Sequence, residues 1–215
     1  MASEIKQGTL ELVNHLPILQ VITPMWIAPI LVVLNNKTLS WLLSFVGTLA
    51  CLFISILLIQ AVSDGSILTY YLGGWVPPIG LENRIAAANA ILLFLISLIS
   101  AIVLIFSYSS LHAEIPEEKH TLFYSCFLLC LTGLLGVVAT ADIFNVFVFL
   151  EISSLSTYVL VAQGAYLDRR ALSASFNYLI MGTIGATFFV IGIGYIYMAT
   201  GYLNMMDISE RDSQL

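Results

Sequence analysis

The chain has 215 residues, of which 60% are hydrophobic and only 9% carry a charged side chain. Soluble domains carry about 25% charged residues, so this composition excludes an ordinary soluble domain and indicates an integral membrane protein. The formal net charge of −6 comes mostly from acids between apolar segments, and no basic block suggests a nucleic-acid partner.

Six apolar segments are long enough to cross a bilayer as helices, which takes about 20 residues each. They predict an all-α integral membrane protein with a polar N-terminal segment at residues 1–15, a six-helix transmembrane domain at 16–200 and a polar tail at 201–215. The predicted spans are residues 16–34, 39–62, 85–106, 121–140, 143–165 and 171–200.

The connections between the spans differ in character. Glycines, prolines and aromatic residues between the second and third spans indicate an ordered loop at the membrane interface. Only Ala141 and Asp142 separate the fourth span from the fifth, so these two should form a tight antiparallel pair. Arg169 and Arg170, in the short loop before the sixth span, favour a cytoplasmic loop with both termini outside, in a multi-pass protein of the cell membrane.

Glu151 lies alone in the otherwise uncharged fifth span. Helix rise places it roughly 12 Å from one end of that span and about 21 Å from the other. A carboxylate at such depth is costly, and residues of this kind are usually protonated, paired or beside water, so they mark ion or proton paths. None of the Lys or Arg residues lies within a predicted span, so Glu151 either stays protonated or meets a cation from another polypeptide. The alternative is a neutral acid hydrogen-bonded between helices.

Three other polar residues are candidate supports for Glu151. Asp142 stands where a helix begins, so it can cap that helix or take up protons. Asn177 can hydrogen-bond across helices, and Ser154 can permit close packing or contact a chain of waters. The glycines of the sixth span indicate close helix packing.

No site for a cofactor or a metal ion is predicted. Cys126 and Cys130 would share a helix face, but no further His or Cys lies at a matching depth. The acids and histidines of the segment HAEIPEEKH fit a solvated loop better than a cation site. No nucleotide-binding glycine loop or catalytic triad is recognisable, so an enzymatic role is expected only if the chain serves a redox complex.

Two long stretches resemble a known family: FYSCFLLCLTGLLGVVATADIFNVFVFLEISSLSTYVLVAQG and SFNYLIMGTIGATFFVIGIGYIYMATGYLNMMDI. They are similar to the D-type subunits of Mrp-type multisubunit Na⁺/H⁺ antiporters, a family shared with proton-pumping subunits of complex I and of membrane-bound hydrogenases. The resemblance implies that Glu151 is a functional carboxylate paired with a lysine on a later helix. It also implies a longer subunit of about fourteen helices in two inverted repeats.

The chain ends soon after the sixth span, so the resemblance covers the N-terminal part of such a subunit, and a truncated or split subunit is expected. The leading hypothesis is a membrane subunit of a multisubunit monovalent cation/proton antiporter, with Glu151 handling protons. Its expected partners are other membrane subunits, the lipid bilayer, H⁺ and Na⁺. The alternatives are a proton-pumping subunit of a complex I-like or hydrogenase-type redox complex, and an inactive structural or assembly subunit.

Overall fold

The structure is a computed structural model that describes residues 2–75, 77 and 80–212, with side chains described for 15–75, 77 and 80–211. Within these residues, six helices are long and apolar enough to cross a membrane, which confirms the predicted all-α membrane fold. The helices are α1 (Ala2–Leu34), α2 (Lys37–Val62), α3 (Ala87–Glu114), α4 (His120–Ala139), α5 (Ile143–Gln163), α6 (Arg170–Thr200) and the short α7 (Met205–Asp212).

The first four helices form the packed part of the molecule. Their buried side chains make one apolar cluster that includes Leu31, Leu58, Leu93, Leu104 and Leu128. The share of buried residues falls from 56% in the apolar stretch of α4 to 11% in that of α5 and 6% in that of α6. The helix pair that carries Glu151 therefore lies at the edge of the bundle.

The tight pairing of α4 with α5 follows from two glycines in α4. Gly133 lies against the backbone of Phe149 and Ser153, and Gly136 lies against the ring of Phe149. A side chain at either glycine would hold the helices apart, so small residues permit this close approach. The predicted antiparallel pair is confirmed, with residues 140–142 as its link.

The connection between α2 and α3 is more regular than the predicted loop. Strand β1 (Leu68–Tyr71) pairs antiparallel with strand β2 (Glu82–Ile85), with Leu68 opposite Ile85 and Tyr71 opposite Glu82. The predicted start of the third span at Ile85 is therefore wrong, because Ile85 ends β2 and the helix begins at Ala87. This helix also continues past residue 106 to Glu114, since no helix-breaking residue occurs before Pro116.

Chain direction places the hairpin, the α4–α5 link and α7 at one membrane face, which we call the hairpin face. The α1–α2, α3–α4 and α5–α6 links lie at the opposite face, which we call the link face.

Candidate functional site

Glu151 lies in a groove between α5 and α6 with a volume of about 270 Å³. Both helices line the groove with residues spaced three or four apart, a spacing that places side chains on one helix face. The α5 side consists of Phe147, Leu150, Glu151 and Ser154, and the α6 side of Gly182, Gly185, Ala186 and Phe189.

The surroundings of Glu151 offer its carboxylate no counter-ion. The side chain is half-buried, and no hydrogen bond or ion pair joins it to any residue that the structure describes. The lining is mainly apolar, with Ser154 as the other side chain that carries a polar group. The described Lys and Arg side chains lie at helix ends or in links and strands: Lys37, Arg84, Lys119, Arg169, Arg170 and Arg211. Among the described residues, no cationic side chain therefore neighbours Glu151.

Asp142 occupies the first position before α5 and is buried. Its Oδ1 accepts a hydrogen bond of 2.8 Å from the backbone N–H of Asn145, as an N-cap residue does. Burial raises the pKa of Asp142 above its ordinary value, while hydrogen bonds from the backbone N–H groups of Asn145 and Phe144 lower it by a smaller amount. Asp142 is thus placed to hold the start of the helix that carries Glu151, and its role in proton uptake stays a prediction.

Hydrogen bonds from two segments, the hairpin and the segment after α6, hold the start of α5. The backbone N–H of Ala141 donates to the carbonyl of Glu82 in the hairpin, and that of Ile143 donates to the carbonyl of Leu203, each at 2.9 Å. The side-chain amide of Asn204 donates to the Glu82 carboxylate at 2.8 Å. Sequence reasoning missed Glu82 and Asn204, because the contact joins residues 122 positions apart and no local pattern indicates it.

The three serines that follow Glu151 have different surroundings. Ser154 lines the groove, whereas Ser153 faces α4, where its hydroxyl lies 3.6 Å from the Cys130 sulfur. The Ser156 hydroxyl donates back to the carbonyl of Ile152 at 2.7 Å. Of the predicted supporting residues, the groove therefore brings Ser154 together with Glu151.

Asn177 does not line the groove. It is exposed on α6, and none of the described residues hydrogen-bonds to its side chain. Gly185, Gly192 and Gly194 are also open, since a methyl group added at any of them would meet nothing within 4 Å. Of the α6 glycines, Gly182 is the one that packs closely against a neighbouring helix of the described chain.

A second group of titratable side chains lies at the link face. The rings of His112 and His120 are 4.9 Å apart, and Lys37 pairs with Glu117 nearby. No group of three or more His, Cys, Asp or Glu side chains that could hold a metal ion occurs among the described residues. This group is separate from the Glu151 groove and adds no ligand to it.

Comparison with known proteins places this site in a family. Residues 140–214 match the family model described as NADH:quinone oxidoreductase/Mrp antiporter, TM. This stretch begins at the α4–α5 link and contains α5, Glu151 and α6. This part of the chain is therefore similar to the membrane subunits that the family model describes. The resemblance seen in the sequence is thereby confirmed, and so is a multi-pass protein of the cell membrane.

Relatives from both branches of the family match almost the whole chain. It is 38% identical to NADH-quinone oxidoreductase subunit N of Desulforudis audaxviator over 198 residues, which is 91% of this chain and 39% of that protein. It is 28% identical to the D-type subunit of the Na⁺/H⁺ antiporter of Alkalihalophilus pseudofirmus over 203 residues, which is 94% of this chain and 40% of that protein.

A solved structure supports the fold. A chain of the membrane-bound sulfane sulfur reductase, an archaeal respiratory membrane complex, superimposes with a TM-score of 0.80 at 32% identity. The match covers 93% of this chain and 39% of the other. The chain thus spans about two fifths of the length of the relatives it matches.

Proposed function

We propose that this chain serves a multisubunit monovalent cation/proton antiporter and that Glu151 binds and releases the transported protons. The observation that carries the proposal is the position of Glu151 in the α5–α6 groove, half-buried and without a cation among the described residues. Similarity to the antiporter and complex I-like family supports a role in a membrane assembly. Other membrane subunits are the proposed partners, with H⁺ and Na⁺ as the proposed ions.

The chemistry requires a carboxyl group whose charge state responds to its neighbours. Desolvation in general disfavours the charged form of a carboxyl group. A cationic side chain or a column of water that reaches the groove favours the carboxylate instead and releases the proton. Glu151 can therefore load and unload as a neighbouring charge comes and goes. That charge must come from outside the described residues, since their cations lie at the ends and links of the spans.

A redox-driven proton pump is the second candidate. Identity to the NADH-quinone oxidoreductase subunit is 38%, against 28% for the antiporter subunit, and the respiratory-complex structure matches at 32% identity. Proton binding by Glu151 is common to both candidates, which differ in what drives the cycle. An inactive structural or assembly subunit remains the third candidate, and it predicts no effect of Glu151 on transport.

The experiment compares E151Q and E151D with unaltered protein in inverted membrane vesicles that contain the full assembly. Proton movement is followed after a Na⁺ or K⁺ pulse and, separately, after addition of a respiratory reductant. E151Q should lower the rate by about 100-fold or more, because positioned proton-transfer groups contribute on that order, and E151D should retain part of the rate.

The matched control is E114Q, which makes the same chemical change at an exposed glutamate at the end of α3. It should transport at the normal rate. Full transport by assembled E151Q would contradict the proposal and favour the structural role. Loss only in the reductant-driven assay would assign the chain to a redox complex.

A further inference from the structure

Tyr158 is a buried side chain on the same face of α5 as Glu151 and Ser154. The three residues are spaced at i, i+3 and i+7, which aligns side chains along one helix face. Helix rise places Tyr158 about 10 Å from Glu151, towards the link face. Its side chain is only 7% exposed, so it lies inside the contact between α5 and α6.

The hydroxyl of Tyr158 is held over Gly182. A methyl group on Gly182 would overlap the Tyr158 oxygen, and Gly182 itself lines the Glu151 groove. The Tyr178 ring packs edge-on against the Tyr158 ring at 5.0 Å, and the Ser175 hydroxyl donates to the Tyr158 carbonyl at 2.7 Å. These contacts fix the ring, so its hydroxyl stays at the end of the groove that points to the link face.

One further buried polar side chain lies between Tyr158 and the link face along α5. Gln163, at the end of α5, is buried, and neither polar atom of its side chain bonds to a described residue. Most buried polar groups in native proteins bond to protein or to ordered water, so Gln163 is a place where water can bind. The groove on the other side of the hydroxyl has room for several water molecules.

We propose that the Tyr158 hydroxyl relays protons between the Glu151 groove and the link face. The hydroxyl gives its proton to water in the groove, from which a proton passes to the Glu151 carboxylate, as it accepts another from water on the link-face side. Tyr158 is unchanged by the exchange, and the reverse sequence moves a proton outwards. The proposal rests on the proposed function of Glu151 and adds the residue that connects it to one membrane face.

The test uses three substitutions in vesicles that contain the full assembly. Y158F removes the hydroxyl and keeps the ring, and G182A leaves Tyr158 intact but displaces its hydroxyl by overlap. Both should lower the transport rate per assembled complex by about tenfold or more, with a larger solvent deuterium isotope effect, because water must replace the relay. G192A is the matched control, since it adds the same methyl group to the same helix outside the groove without meeting any atom within 4 Å.

The double variant adds a test of mechanism. If G182A acts through the hydroxyl, adding it to Y158F should lower the rate by much less than it does in the unaltered protein. Normal rates in Y158F would overturn the relay, as would a slowing that G192A reproduces or one that leaves the isotope effect unchanged. Transport by E151Q would overturn the proposed function itself, whereas loss in E151Q with normal Y158F overturns the relay alone.

Discussion

Two acids on one helix, Asp142 and Glu151, have opposite surroundings. Asp142 accepts hydrogen bonds from backbone N–H groups at the start of α5, where the helix dipole also favours a negative charge. Glu151 is flanked by apolar side chains and accepts no hydrogen bond from any described residue. The first acid is therefore suited to hold the helix start, whereas the surroundings of the second support the role in proton exchange proposed for it.

Substitution of Asp142 separates the capping role from the charge. D142A should lower the free energy of unfolding by about 1 kcal/mol, because the cap is lost, whereas D142N keeps an acceptor oxygen and should cost little. Thermal unfolding of the detergent-solubilised protein measures both changes. Equal melting temperatures for D142A and the unaltered protein would contradict the capping role.

The same measurement in a pH series tests the charge. Burial raises the pKa of Asp142, so the folded protein holds this proton more tightly than the unfolded chain does. The resulting stability is fully present below the ordinary aspartate value and is lost as the pH rises through the raised pKa. The melting temperature of the unaltered protein should therefore fall relative to that of D142N over this range. A constant difference would contradict the assigned cause.

Helix contacts at glycines determine where α5 lies. Gly133 and Gly136 bring α4 against Phe149 and Ser153, and Gly182 brings α6 against Tyr158. Membrane helices associate through close packing of this kind, because lipid is as apolar as the helix surfaces. The side of α5 on which a residue lies thus determines its contacts. Residues that face α4 serve packing, and Glu151 and Ser154 face α6 and line the groove.

A methyl group at Gly133 tests this packing. In G133A the new carbon would lie 2.6 Å from the Phe149 carbonyl oxygen and from the Ser153 Cβ, so the helices must shift. Overpacking of this kind costs about 1–3 kcal/mol. The melting temperature of the solubilised protein should fall, while G185A should leave it unchanged. Equal melting temperatures for the two variants would contradict the tight α4–α5 contact.

At the scale of the molecule, the chain combines a packed four-helix part with a peripheral helix pair that carries the candidate site. The hairpin and the segment after α6 meet the start of α5 through Glu82 and Asn204. A displacement of either segment would therefore move the start of α5, the helix that carries Glu151. On the link-face side of Glu151, the Tyr158 hydroxyl lies against Gly182, which lines the groove.

The sequence predicts the parts of this arrangement that depend on local pattern. Apolar runs predict the six spans, and the short link predicts the α4–α5 pair. The absence of other charged residues from the fifth span can also be read from the sequence. Three contacts are not predictable in this way: the pairing of residues 68–71 with 82–85, the Glu82–Asn204 hydrogen bond, and the contact of the Tyr158 hydroxyl with Gly182. Each depends on how separate elements are rotated and placed, which periodicity along one helix does not specify.

Infrared difference spectroscopy of the purified membrane assembly tests proton exchange at Glu151 most directly. The carbonyl stretch of a protonated carboxyl group is distinct from the bands of a carboxylate, and E151Q identifies the contribution of this one residue. A band that is absent from E151Q should lose intensity as the pH is raised and regain it when the pH is lowered. A Glu151 band that keeps the same intensity across the pH range in which the assembly transports would contradict the account.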